Sequence, residues 1–114
     1  MTRSGLALLA ALAATAAGCG GSDPLASDPV ATTRVELPQS YRFDPPVIEV
    51  EPGAEVTWEN GDNFTHTIRF DGEDETAKLE PGESFARRFR EPGTFHYLCT
   101  LHPSDMEGEV RVGQ

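Results

Sequence analysis

A set of soft metal-ligand side chains near the C-terminus restricts the fold of this chain more than any other feature. Cys99, His102 and Met106 follow one another at a C-x2-H-x3-M spacing, so that one loop can direct all three side chains to a single point. A second imidazole, His66, lies upstream in a strand-rich region. Two His, one Cys and one Met form the donor set of a trigonal copper site with a weak axial Met, as used for electron transfer. The fold must therefore bring His66 beside the loop.

Two other chemistries fit these residues less well. Structural zinc sites use more thiolates and do not recruit methionine. A hydrolase with Cys99 as nucleophile and His102 as base would need an oxyanion-stabilising device, and no motif for one is visible. Such an enzyme would also leave Met106 without a role. We therefore expect a copper site and no enzyme activity.

The charge balance excludes one large class of partners. The 114 residues carry 9 Lys and Arg against 19 Asp and Glu, which gives a net charge of -10. No basic stripe exists that could neutralise nucleic-acid phosphates, so we expect no nucleic-acid binding. The acidic surface favours solubility, a basic partner or a salty environment, and the sequence does not choose among them.

The N-terminus has the pattern of an export signal. Residues 6–17 form an uncharged run of Ala and Leu, which is too short to span a bilayer and follows one positive charge at Arg3. The run ends in Ala-Ala-Gly before Cys19, a pattern that resembles a bacterial lipobox. We predict a signal peptide over 1–18, lipidation of Cys19 and a flexible tether over 19–33. Ordinary cleavage that leaves Cys19 unmodified is the alternative.

From residue 34 onward, short β-like runs alternate with turn residues, and no helical periodicity of useful length appears. Three Glu-Pro-Gly turns, at 51–53, 80–82 and 91–93, separate these runs. Tyr41 and Phe43 are predicted aromatic anchors, and 73–77 is predicted to be a loop. This pattern predicts one all-β domain over 34–114, a β-sandwich of about seven or eight strands. The predicted strands cover 34–37, 47–50, 55–59, 65–70, 84–90, 94–99 and 109–112.

The order of these pieces resembles the plastocyanin/azurin family of blue copper proteins, the cupredoxins. The resemblance covers most of 34–114 and is carried by these motifs: Phe43-x-Pro45-x-x-Ile48-x-Val50-x-x-Gly53, Pro92-Gly93-Thr94-Phe95-x-Tyr97-x-Cys99, His102-Pro103 and Met106-x-Gly108-x-Val110. It implies a Greek-key sandwich and one type 1 copper ion held by His66, Cys99, His102 and Met106. His96 has the opposite strand parity to Cys99 and is read as a surface or packing residue.

The resemblance also implies roles for neighbouring residues. Many members have Asn after the first ligand His, where it ties the two ligand-bearing segments together, and Thr67 stands there in this chain. The family's second ligand His protrudes through an apolar patch where electrons pass, and Leu101 and Pro103 flank His102 here.

The expected function is the transfer of single electrons outside the cytoplasm by a lipid-anchored monomer, on the outer face of the cytoplasmic membrane or in the periplasm or cell envelope. A basic cytochrome c or a membrane oxidoreductase would suit its acidic surface as redox partner. A lipoprotein that stores or delivers copper remains an alternative, as does a tethered interaction domain whose copper is incidental.

Overall fold

The computed structural model describes residues 23–113, so the predicted signal peptide and Cys19 lie outside the described residues. Within that range the regular structure is nearly all strand. A single turn of 3-10 helix, Pro24–Ala26, precedes the strands β1 (Val30–Ala31), β2 (Arg34–Leu37), β3 (Val47–Val50), β4 (Ala54–Asn60), β5 (His66–Phe70), β6 (Ala77–Leu79), β7 (Ser84–Phe89), β8 (Gly93–Leu98) and β9 (Glu107–Val112). No helix among residues 23–113 has the length and apolar character needed to span a membrane.

The strands form two sheets. One sheet has the order β1-β3-β9-β8-β5-β6, and the other has the order β2-β4-β7. The sequence neighbours β2 and β3 lie in different sheets, and so do β4 and β5, so the chain crosses repeatedly between the two layers. This two-layer arrangement confirms the predicted all-β sandwich.

Two short edge strands raise the number above the predicted seven or eight. β1 lies inside the segment predicted as a tether, and its Val30 and Ala31 pair in parallel with β3. β6 begins at the end of the predicted 73–77 loop and pairs with β5. Neither strand has a periodicity of its own that sequence analysis could detect. Each forms because its neighbour offers unpaired backbone groups at a sheet edge.

An aromatic cluster fills the space between the sheets. Trp58 of β4 is fully buried, and its ring lies 5.3–6.3 Å from the rings of Phe70, Phe85, Phe89 and Tyr97. These residues come from both sheets, because strand alternation turns every second side chain inward. The cluster therefore fixes the distance between the layers.

Two of the predicted Pro-Gly turns set the path of the second sheet. Gly53 has a φ of 95° and Gly82 has a φ of 87°, values that glycine adopts at little cost. The first turn leads from β3 into β4, and the second leads from β6 into β7. Both turns therefore have the conformation that their sequence predicts.

The pairing of β5 with β8 determines where the metal-ligand candidates meet. Arg69 lies opposite Leu98, and Phe70 lies opposite Tyr97. Continuing this antiparallel register by two residues sets Thr67 opposite Thr100, just beyond the end of β8. The start of β5 and the loop after β8 are thus neighbours at one end of the sandwich.

We predict that Gly108→Ala destabilises the fold. Gly108 lies opposite Tyr97 in the β8–β9 pair, and a Cβ atom at this position would overlap the Tyr97 ring and hydroxyl group. The Tyr97 ring cannot move away, because it is fully buried between Phe43, Trp58 and Phe70. We expect the unfolding free energy of the copper-free protein to fall by about 1–3 kcal/mol in urea denaturation. Gly113→Ala is the control, because its Cβ would come no closer than 3.8 Å to Val50. Equal urea midpoints for the two variants would contradict the prediction.

Candidate metal centre

The loop after β8 is closed by its own backbone hydrogen bonds. The Cys99 N–H donates to the carbonyl of Met106 at 3.0 Å, and the His102 N–H donates to the carbonyl of Cys99 at 3.1 Å. The N–H groups of Asp105 and Met106 both donate to the His102 carbonyl, at 3.1 and 2.9 Å. The three ligand candidates of this loop are thus held by bonds that do not depend on a metal ion.

The structure brings His66 and Cys99 into contact. Both residues are fully buried, and the Cys99 Sγ lies 3.7 Å from the His66 Nδ1. The His102 ring is centred 6.2 Å from the His66 ring, and Met106 is fully buried in the same core. Cys99 carries a free thiol within the described part of the chain. Two predicted ligands therefore meet directly, and the other two belong to the same closed loop.

The donor chemistry at this point fits copper. Bonds from a metal ion to thiolate and imidazole are about 2.0–2.3 Å long, judged from zinc sites, so one ion could contact both Sγ and Nδ1 across 3.7 Å. Among residues 23–113, no group of three or more His, Cys, Asp and Glu side chains meets as a metal cluster. The other two predicted ligands, the His102 imidazole and the Met106 thioether, would complete the donor set. Soft sulfur donors with imidazole suit copper.

A buried carboxylate, which sequence analysis missed, orients His66. The Asp62 Oδ2 lies 2.8 Å from the His66 Nε2, and only 5% of Asp62 is exposed. Because an ionised carboxylate can only accept, Nε2 carries the proton and Nδ1 keeps its lone pair toward Cys99. The hydrogen bond from His66 lowers the pKa of Asp62, so Asp62 remains ionised at neutral pH. Its position four residues before His66 was the available signal, but that spacing has no special meaning in a loop.

Asn60 holds the loop that carries Asp62. Its side-chain amide donates to the carbonyl oxygens of Phe64 and Leu79, at 2.9 and 3.0 Å. Its side-chain oxygen accepts the N–H of Asp62 at 2.9 Å. A fully buried Asn with these three partners fixes the 60–64 loop, and so the carboxylate behind His66.

Thr67 links β5 to the loop after β8. Its backbone N–H donates to the Cys99 Sγ at 3.5 Å, and its hydroxyl oxygen lies 3.6 Å from the same sulfur. That hydroxyl also accepts the N–H of Thr100 at 2.8 Å. The family resemblance implied that the residue after His66 ties the two ligand-bearing segments together, and the contacts of Thr67 are of this kind.

The surroundings of the Cys99 thiol favour its ionised form. Burial raises the pKa of Cys99, but the hydrogen bonds that its sulfur accepts, chiefly from the Thr67 backbone N–H, outweigh burial, so that the pKa is lowered overall. A thiolate is the form of cysteine that binds metals. The site therefore favours the state of Cys99 that copper requires.

An exposed aromatic surface covers the outer side of His102. The Tyr41 ring lies 4.5 Å from the His102 ring and stacks on Phe64 at 6.0 Å. Tyr41, Phe64 and Leu101 are 43%, 57% and 53% exposed, and they are three of the four exposed large apolar residues among those described. Pro103, the other residue expected beside His102, is also exposed. We call Tyr41, Phe64, Leu101 and Pro103 the apolar rim. Tyr41 and Phe43 were both predicted as aromatic anchors, and the structure separates them: Phe43 is buried, whereas the left-handed backbone of Tyr41 (φ 52°) turns its ring outward.

The third histidine, His96, lies on the outer face of its sheet. Its Nδ1 is 2.9 Å from Asp71, and its Nε2 is 2.6 Å from Glu107. Burial opposes a charge on this imidazole, but the two carboxylates outweigh burial and raise the pKa of His96. Both ring nitrogens are occupied by these carboxylates, which agrees with the interpretation of His96 as a surface or packing residue.

We predict that Asp62→Ala weakens Cu(II) binding by about 10–100-fold, because such supporting contacts orient a ligand imidazole and raise its basicity. Competition with a chelator measures the affinity. Asp105→Ala is the matched control, since it removes one negative charge from an exposed position beside Met106. If both variants lose the same affinity, net charge and not the hydrogen bond to His66 is responsible.

Comparison with known proteins agrees with this geometry. Residues 31–113 match the sequence profile of a family described as copper binding proteins, plastocyanin/azurin family. The chain is 32% identical to amicyanin-alpha of Methylorubrum extorquens over 113 residues, which cover 93% of each protein. A purple cupredoxin from Nitrosopumilus maritimus superposes with a TM-score of 0.64 at 26% identity, covering 72% of this chain and all of that one.

A larger protein contains the same fold as a part. The copper-containing nitrite reductase of Thermus scotoductus superposes with a TM-score of 0.63 at 27% identity, over 84% of this chain and 27% of that protein. The family profile covers more than half of the chain, and the amicyanin match spans nearly all of it. This chain belongs to the plastocyanin/azurin family of copper-binding proteins.

Proposed function

We propose that this chain is a type 1 copper electron carrier whose single copper ion would be held by His66, Cys99, His102 and Met106. The observation that supports this most directly is the buried contact of 3.7 Å between the Cys99 sulfur and the His66 Nδ1. When bound, copper supplies the reversible Cu(II)/Cu(I) couple. The protein supplies a fixed donor set and a route to the surface.

Fixed ligands keep electron transfer fast. Asp62 holds His66 from behind, and the closed backbone of the 99–106 loop holds Cys99 and His102. A donor set that hardly moves suits both oxidation states of copper and keeps the structural change on electron transfer small. The same rigidity weighs against a role in copper delivery, because handing over the ion requires ligands that a partner can reach. Cys99 and Met106 are both fully buried.

Electrons leave at His102 through the apolar rim. The Tyr41 ring is in contact with His102, and the rim holds three of the four exposed large apolar residues among those described. A redox protein with an apolar contact surface would fit it. The net charge of -10 suits a basic partner, such as a cytochrome c or a membrane oxidoreductase, which would be attracted over a distance. We propose that the carrier acts as a monomer.

We propose that the chain is an electron carrier and not an enzyme, because Cys99 and His102, the pair that a hydrolase would need, are both copper ligands in this proposal. The nitrite reductase with this fold extends far beyond the matched 27% of its length.

We predict that Cys99→Ser abolishes the intense blue absorption of the copper-loaded chain, because the charge-transfer band arises from the thiolate. Visible absorption and EPR spectra measure this, and narrowed copper hyperfine splitting is expected only where Cys99 is retained. Met106→Leu serves as the control: it should keep the band and raise the reduction potential, because loss of an axial donor favours Cu(I). A blue band that persists in Cys99→Ser would overturn the proposed ligand set.

We further propose that Cys19 is lipidated and anchors the carrier outside the cytoplasm. Cys19→Ser should move the protein from the membrane fraction to the soluble fraction of a bacterial host that processes lipoproteins, since stable attachment requires the acyl chains. Cys99→Ser is the matched control and should stay in the membrane fraction. The anchor is ruled out if Cys19→Ser remains in the membrane fraction, or if the unchanged protein is already soluble.

A further inference from the structure

A short chain of hydroxyl groups ends at the ligand sulfur. The Thr100 Oγ1 lies 2.7 Å from the Thr67 Oγ1, which in turn lies 3.6 Å from the Cys99 Sγ. The same Thr67 oxygen accepts the Thr100 backbone N–H at 2.8 Å. Sequence analysis gave Thr67 a linking role and gave Thr100 none.

The hydroxyl protons of Thr67 and Thr100 can be arranged in two ways. Each hydroxyl group has one proton to donate and two lone pairs to accept with. In the first arrangement Thr100 donates to Thr67, and Thr67 donates to the sulfur. In the second, Thr67 donates to Thr100, and the sulfur receives no hydroxyl proton. The heavy-atom positions are the same in both.

We propose that the first arrangement holds, and that Thr100 is a positioning residue that directs the Thr67 proton onto the Cys99 sulfur. A copper-bound Cys99 is a thiolate, which is the strongest acceptor in this group and has no proton of its own. In this arrangement the Thr67 oxygen accepts twice, from the N–H and the O–H of Thr100, and donates once. All its hydrogen-bonding capacity is then used. The inference rests on the proposed role of Cys99 as copper ligand.

The expected consequence is a higher reduction potential. Hydrogen bonds to the thiolate draw electron density from the sulfur and weaken its donation to copper, and Cu(II) depends on that donation more than Cu(I). With the Thr67 N–H at 3.5 Å, the sulfur then has two hydrogen bonds from one residue. The Thr100 hydroxyl strengthens the second of these, because linked hydrogen bonds polarise one another.

The sign of one measured shift distinguishes the two arrangements. Thr100→Val removes the hydroxyl group but keeps the backbone N–H and the branched shape. If Thr100 is the donor, the variant weakens the Thr67 hydrogen bond to sulfur, and the reduction potential measured by protein voltammetry falls. If Thr100 is the acceptor, its loss frees the Thr67 proton for the sulfur, and the potential rises. A rise or an unchanged potential overturns the proposal.

Further variants test whether Thr100 acts through Thr67. Thr67→Val should lower the preference for Cu(I) over Cu(II) by about tenfold, which is about 59 mV for a one-electron couple. Thr100→Val should give a smaller shift in the same direction, with the absorption band moving to longer wavelength. In Thr67→Val, adding Thr100→Val should change nothing more. Thr100→Ser, made alone in the unchanged protein, keeps the hydroxyl group and should retain the original potential. An additional fall in the double variant would mean that Thr100 acts by another route.

Controls separate this proposal from the ligand assignment. Thr94→Val removes a hydroxyl group from an exposed position on β8 and should leave the potential unchanged. Thr100→Ala removes the hydroxyl group without a branched side chain and replaces Thr100→Val if that variant does not fold. A blue band that survives Cys99→Ser refutes the ligand set itself. If Cys99→Ser loses the blue band but Thr100→Val raises the reduction potential, the ligand set stands and only the proposed hydroxyl arrangement is wrong.

Discussion

The hydrogen bonds between Thr67 and the segment after β8 hold the two halves of the metal centre together. Thr67 and Thr100 are 33 residues apart in sequence, and a backbone N–H and two hydroxyl groups join them within 2.7–2.8 Å. The β-ladder between β5 and β8 itself ends at the pair Arg69 and Leu98, three residues short of His66. The bonds between Thr67 and Thr100 keep the two segments side by side beyond the last ladder pair, up to the contact between His66 and Cys99.

The four buried polar side chains near the site, those of Asn60, Asp62, His66 and Thr67, all have hydrogen-bond partners, and this explains how they can be buried. An isolated carboxylate such as Asp62 would be expensive to remove from water, but it accepts hydrogen bonds from His66 and from the Asn63 backbone. Asn60 is equally well satisfied. Each buried polar group thus orients the next one, from the 60–64 loop to the imidazole. The proposed donor set is therefore ordered in part without the metal ion, as an electron carrier requires.

The sequence predicted those features of the site that depend on local patterns. The Cys99–Met106 loop, the Pro-Gly turns and the inward faces of the longer strands follow from spacing and alternation alone. The roles of Asp62 and Tyr41 do not, because they depend on contacts between segments. Asp62 could have been an ordinary polar loop residue, and it gains its role only because Asn60 turns the loop back on itself. Tyr41 has the same parity as buried Phe43, yet a left-handed backbone sends its ring toward His102.

Long-range attraction of a partner and direct contact with it involve different parts of the protein surface. The apolar rim over His102 consists of Tyr41, Phe64, Leu101 and Pro103, none of which is charged, whereas the net charge of -10 belongs to the rest of the chain. Charges raise the rate of encounter over distances of about 10 Å at ordinary ionic strength, but they are costly to desolvate in a contact. An uncharged rim lets a partner come close to His102 without that cost. A carrier must also release its partner after each electron, and a small contact surface joined to long-range attraction gives rapid association together with rapid release.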